Sequence, residues 1–137
     1  MQRLAASREL LIQVLNGIDV GIVIVDAHFE VEIWNQTAER IFGWTESETV
    51  GGLAFDFIPP GEYPDGMTAE TAFDAVYRTG SWRGEATQTR RDGSKFLAEV
   101  AFSAIRDADG EVTGYTSVWR NITGQRALEE EFDQLVN

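Results

Sequence analysis

Residues 95–106 alternate without a break. Phe96, Ala98, Val100, Phe102 and Ala104 fall on one side, and Leu97, Glu99, Ala101, Ser103 and Ile105 on the other. A period of two gathers each set on one face of an extended strand, whereas a helical period would scatter both. The run is bracketed by Asp92 with Gly93 and by Asp109 with Gly110. Asp-Gly is a hairpin signal, because its glycine takes the positive φ that tight turns require. Residues 95–106 are therefore the middle of three antiparallel strands, with partners at 82–90 and 112–122.

The rest of the chain must fit that sheet. The run Gly-Ile-Val-Ile-Val-Asp at 21–26 is apolar on both faces and reads as a strand covered on both sides. A short turn at 27–30 leads to Val31, Ile33 and Trp34 on a second strand. Asn35 is placed as a helix N-cap, with Ala38, Ile41 and Phe42 on the buried face and Gly43 as the left-handed stop. Thr45 and Glu48 have the spacing of a capping box for a short helix that ends at Gly51 and Gly52. Phe55, Phe57 and Ile58 precede a Pro-Pro-Gly loop at 59–61. Thr68 caps a third helix whose stripe is Ala72, Phe73, Val76 and Tyr77, and Gly80 ends it. Five antiparallel strands with helices on one face make an α+β domain. A chain of 137 residues suits one such domain, burying about 65–70% of its unfolded surface without a staple.

Both ends read as helices. Leu4, Leu11 and Leu15, with Ile18 beyond, form a seam at the N-terminus. Leu128, Phe132 and Leu135 form another among Glu129, Glu130, Glu131 and Asp133. Each seam either covers its own domain or, as the narrow acidic-flanked C-terminal one suggests, begins a coiled coil.

Taken in order, these residues resemble a PAS domain. The first half is carried by the 21–26 run, Ile33-Trp34-Asn35, Ala38-Glu39 and Ile41-Phe42-Gly43-Trp44. The second half is similar to the PAC pattern that closes such domains: Gly80-Ser81-Trp82-Arg83-Gly84-Glu85, Arg91-Asp92-Gly93, Phe96, Ile105-Arg106-Asp107, Asp109-Gly110, Gly114 and Arg120-Asn121-Ile122-Thr123. The resemblance spans about residues 10–125. It implies a five-stranded sheet in the order 2-1-5-4-3, divided from its flanks as an N-terminal helix (1–17), the PAS/PAC domain (18–123) and the start of a C-terminal signalling helix (124–137). It implies a sensor or interaction module of a larger signalling protein, such as a sensor histidine kinase of a two-component system. It also implies a homodimer joined through flanking helices. One position departs from the pattern. The family's last strand commonly ends in Asp-Ile-Thr, and Asn121 stands in place of the aspartate, able to hydrogen-bond but uncharged.

The chain has no cysteine, which excludes disulfides, thiolate metal sites, cysteine nucleophiles and the cysteine-adduct flavin and coumarate chemistries of light-sensing relatives. Haem-binding members carry a histidine on the helix before the third strand, and residues 68–79 have none. The sole histidine, His28, lies in a turn and reads as exposed. Tyr77 could ligate iron but reads first as core. What remains is a small organic ligand held non-covalently, or no ligand. Candidate pocket walls are Phe42, Phe57, Ile58, Phe73, Val76, Tyr77, Val100 and Phe102, which serve equally as plain core. Asn35, Thr87 and Ser103 are polar candidates, each with a local explanation as a cap or an outward strand position. A carboxylate-pair enzyme would use Glu85 and Glu99 on neighbouring strands, but solvated positions explain both.

With 11 Lys and Arg against 23 Asp and Glu, the net charge is −12. Nucleic-acid binding is not expected, since only Arg90 and Arg91 are adjacent. Lys95 is the single lysine, beside ten arginines. A GC-rich genome and a salt-adapted cytoplasm both produce that bias, and the acidic surface favours the halophilic origin. No apolar run approaches the ~18 residues of a membrane span. The start lacks a signal-peptide core, so a cytoplasmic domain without membrane contact is expected.

Overall fold

A computed structural model describes residues 2–136, with side chains from Glu9 onward. Helix α1 (Gln2–Asn16) precedes strands β1 (Gly21–Asp26) and β2 (Val31–Trp34). Helices α2 (Gln36–Phe42) and α3 (Glu46–Thr49) follow, then single 3₁₀ turns at Ala54–Asp56 and Pro64–Gly66, and helix α4 (Ala69–Thr79). Strands β3 (Ser81–Thr89), β4 (Lys95–Arg106) and β5 (Val112–Asn121) lead to helix α5 (Thr123–Val136). The strands form one antiparallel sheet in the order β2-β1-β5-β4-β3. The first and last strands in sequence are thus hydrogen-bonded at its centre, with Val23 opposite Ser117. This is the α+β architecture expected.

Helix α2 packs on β1, α3 on β2, and α4 on β3 and β4. Their common core holds Val23, Trp34, Phe42, Phe96, Val100 and Trp119. The alternation of β4 is realised: Phe96, Ala98, Val100 and Phe102 are buried, while Leu97, Glu99, Ala101 and Ser103 are half-buried on the outer face. Truncating a buried phenylalanine to alanine typically costs about 3–5 kcal/mol, so this face dominates stability. Strand β1 differs from the expectation of full cover on both sides. Val23 and Val25 join the core, whereas on the opposite face Ile22 is buried and Ile24 only half-buried.

Local signals act as their chemistry demands. Asn35 caps α2 by accepting from the Ala38 N–H, and Gly43 ends it at φ 84°. The Thr45–Glu48 capping box is complete. Gly114 is required by a close approach: a Cβ there would collide with the Val25 carbonyl oxygen.

Helix α4 corrects one expectation. Ala72 and Val76 are fully buried, but Tyr77 is 61% exposed. The helix packs on one side only, along the narrow line through Ala72 and Val76, and Tyr77 turns to solvent. Its carbonyl accepts from Arg106 Nη2 at 2.8 Å. The flanking helices also keep apolar side chains in solvent. Leu10, Leu11, Val14 and, beyond α1, Ile18 are exposed, as are Leu128, Phe132 and Leu135. Leu15 is half-buried. The side chain of Leu4, the first seam position, lies outside the described residues. No residue of α5 is buried, so its stripe does not cover the domain that carries it.

Candidate ligand cavity

A cavity of about 60 Å³ lies between the inner face of the sheet and the segment 54–63. The sheet supplies Val23 and Val25 from β1, Phe102 from β4, and Tyr115, Ser117 and Trp119 from β5. The roof is Phe55, Ile58, Pro59, Pro60, Gly61 and Tyr63, with Phe73 of α4 at the side. Aromatic rings dominate. Phe73 sits 5.2 Å from Phe102, and Phe102 sits 5.6 Å from Trp119, edge to face.

Phe29 completes the wall and is placed by a constrained turn. Its φ is +66°, a left-handed conformation that costs a non-glycine residue about 1–3 kcal/mol. Asp26 holds the turn: its Oδ1 accepts from the His28 and Glu30 N–H groups, and its carbonyl accepts from Phe29 N–H. The Phe29 ring then stacks on Tyr115 at 5.1 Å. The roof is fixed by two strand-like bonds between Glu62 and Thr87, of 2.9 and 2.8 Å. A Lys95–Glu62 ion pair of 2.8 Å adds to them.

Polar groups at the cavity are few. Ser117 Oγ is committed, accepting from Trp119 Nε1 at 2.8 Å and donating to the Val23 carbonyl. Burial pushes the Tyr63 phenol above its ordinary value of 10. Gln88, on β3, is 2% exposed, and its Oε1 has no hydrogen-bond partner among the described residues. A buried acceptor without a partner costs about 1–3 kcal/mol, so this amide is a point of stored polarity in an otherwise oily chamber. Gly61 leaves room for it, since a Cβ there would strike the Gln88 amide.

Of the eight wall candidates read from the sequence, Ile58, Phe73 and Phe102 line the cavity. Phe42, Val76 and Val100 are buried in the core instead. Phe57 packs against Trp44, 5.1 Å away, and Tyr77 is exposed. Asn35 is consumed by structural bonds, and neither Thr87 nor Ser103 reaches the cavity. The sequence reading missed Phe29, Tyr115 and Gln88. Phe29 hid in a turn, and its only signal was an aromatic ring among polar turn residues. Gln88 hid in the alternation of β3, where it occupies an inward position between Ala86 and Arg90.

Glu85 and Glu99 do stand opposite one another across β3 and β4. They lie on the outer face, each bound to an arginine, Glu85 to Arg126 and Glu99 to Arg120. They form no carboxylate pair inside an apolar cavity. The cavity volume also limits what fits. Pockets that hold drug-sized ligands measure about 300–1,000 Å³, several times the volume of this chamber. His28, the chain's one histidine, is exposed on the turn and does not line it.

The profile of the PAS domain family matches residues 19–124. The chain belongs to that family. The PAS fold is shared with the PAS domain of a protein from Colwellia psychrerythraea. The TM-score is 0.69 at 20% identity, over 85% of this chain and 97% of that one. Among curated proteins, two-component system protein A of Emericella nidulans is 29% identical over 81% of the chain. Sensor protein FixL of Bradyrhizobium diazoefficiens is 25% identical over 89%. The chain spans 16% and 24% of the lengths of those two relatives. This PAS domain is thus a sensory domain related to modules of much longer sensor proteins. Among the described residues, no helix is long and apolar enough to cross a membrane.

Proposed function

We propose that this PAS domain is the sensory and interaction module of a cytoplasmic multidomain signal-transduction protein, and that it works through its two flanking helices. The division is residues 1–17, 18–123 and 124–137, with an output domain such as a histidine kinase beyond. Occupancy of the chamber by a small organic ligand, or a conformational signal reaching the same sheet, alters the orientation of α5. The observation that carries this reading is continuity. Trp119 on β5 walls the cavity, and α5 begins four residues later, at Thr123, just past the end of that strand. Thr123 Oγ1 accepts from Leu97 N–H of β4 at 2.9 Å, so displacement of the inner sheet is delivered to the helix start.

Helix phase supplies the test. Each inserted residue rotates a helix by about 100°, and seven nearly restore its phase. In the longer protein, one to six residues inserted after Asn137 should change output with a heptad rhythm, and seven should restore it. Output indifferent to phase would reduce α5 to a passive tether.

A second reading, a ligand-free dimerisation scaffold, is favoured by the small cavity and by the bare Leu128, Phe132 and Leu135 stripe. Native mass spectrometry separates the two. A retained small molecule marks a sensor, and a dimer of bare chains marks the scaffold.

A further inference from the structure

A second, larger recess lies apart from the aromatic cavity and shares no residue with it. Its volume is about 380 Å³, and Asp19, Thr37, Arg40, Ile41, Arg90, Arg120 and Asn121 line it. Three of the ten arginines of a chain with net charge −12 therefore converge on one cleft.

Each guanidinium is tethered, Arg90 twice, since its Nη1 also donates to Ser94 Oγ at 3.4 Å, and each retains free donors. Arg40 Nη2 donates to Thr37 Oγ1 at 2.9 Å, and that hydroxyl donates to the Ile18 carbonyl at 3.1 Å. Arg90 Nε donates to the Ile41 carbonyl at 3.0 Å, and its guanidinium lies over the Phe96 ring, 4.6 Å from the centroid. Arg120 Nη2 donates to Glu99 at 3.2 Å. An arginine carries five N–H donors, so most of these fifteen are uncommitted. Arg40 and Arg90 have no carboxylate within 4.0 Å among the described residues, although the chain holds 23 acids. The lining arginines bring three positive charges. Asp19 in the cleft and Glu99 on Arg120 bring two negative ones, which leaves an excess of one positive charge.

We propose that this cleft binds a small, free oxyanion of two or more charges, a phosphate or polycarboxylate group. Guanidinium forks match such oxygens bidentately, and the net positive charge of the cleft, which outweighs the repulsion from Asp19, attracts a multiply charged anion more strongly than a monoanion. The volume falls within the range of small-ligand sites. The position gives the site a consequence. Arg40 is tied through Thr37 to the segment that follows α1, and Arg120 lies three residues before α5. An anion gripping both joins the incoming and outgoing helices. This inference does not depend on occupancy of the aromatic cavity.

The test titrates the domain with inorganic phosphate and, separately, with citrate, at constant ionic strength balanced by chloride. Amide shifts and thermal midpoints are followed. Generic salting-out by these anions also raises stability, so the diagnostic results are saturation and dependence on the variants. Saturable shifts should appear at Thr37, Arg40 and Asn121. Affinity should fall tenfold or more in R40Q, which alters an exposed side chain. R83Q, which removes an exposed arginine outside the cleft, should bind as wild type. R90Q should behave like R40Q if its amide spectrum remains native. Linear, unsaturable shifts, or saturation unchanged in R40Q, would overturn the proposal.

Discussion

Asn35 shows how much work one side chain performs here. It is 1% exposed, and its amide makes four hydrogen bonds. Oδ1 accepts from Ile22 and Ala38 N–H, each at 2.9 Å. Nδ2 donates to the Leu15 and Val20 carbonyls at 3.0 and 2.9 Å. One residue thereby joins the end of α1, the start of β1 and the first turn of α2. The cap to Ala38 was legible in the sequence because it spans three residues. The other bonds reach 13 to 20 residues away and depend on the tertiary fold. Asn35→Ala should cost about 3 kcal/mol, since it removes a cap and strands buried backbone groups, read as a lower urea midpoint. Asn35→Asp should not rescue it, because a carboxylate would face two carbonyls. Glu48 gives a pH prediction. Hydrogen bonds from Thr45, then the nearby Arg91 guanidinium, hold its carboxyl below the ordinary 4.5. A depressed folded value means stability that is present above about pH 4.5 and lost as pH falls through the lowered value. Carbon-detected NMR titration should place the Glu48 midpoint below that of an unfolded peptide, and Thr45→Ala should raise it.

At the scale of elements, alternation and capping were readable and enclosure was not. The strands, the α2 and α3 caps and the strand order followed from periodicity, turn chemistry and family pattern. The cavity depends on where the 54–63 segment lies over the sheet, and no local period encodes that position. Tyr77 was misjudged for a related reason: a helical stripe shows which residues share a face, not how much of that face its neighbour covers. The end of β5 is instructive as well. Asn121 Oδ1 accepts from Thr123 N–H, the first amide of α5, at 3.0 Å. The ionic tie between sheet and helix comes instead from Arg126 and Glu85. That pairing, by hydrogen bond first and charge second, raises the Arg126 value still further. Arg126→Ala should therefore accelerate amide exchange across the first two turns of α5 while leaving β4 protected, as hydrogen–deuterium exchange will show. Equal exchange in both proteins would mean that the ion pair does not hold the helix. Replacing Leu128 and Leu135 with Ser should weaken self-association in sedimentation experiments without lowering the thermal midpoint of the sheet, because both side chains are solvent-exposed.

The molecule as a whole carries a charge of −12, which repels itself most strongly in dilute buffer. Denaturation midpoints should rise from low to molar sodium chloride. A comparison with sulfate separates screening from salting-out. A flat response to chloride would remove the argument for a salt-adapted surface. The same composition has a practical side. With Lys95 as the single lysine, reductive methylation with labelled formaldehyde marks one side-chain amine and preserves its charge. That amine is bound to Glu62, between Gly61 and Tyr63 in the roof of the aromatic cavity. The native chain thus offers a probe site at the strand end that grips this roof, and the Lys95 methyl signal, distinct from that of the methylated α-amine, would report the roof's movement without any mutation.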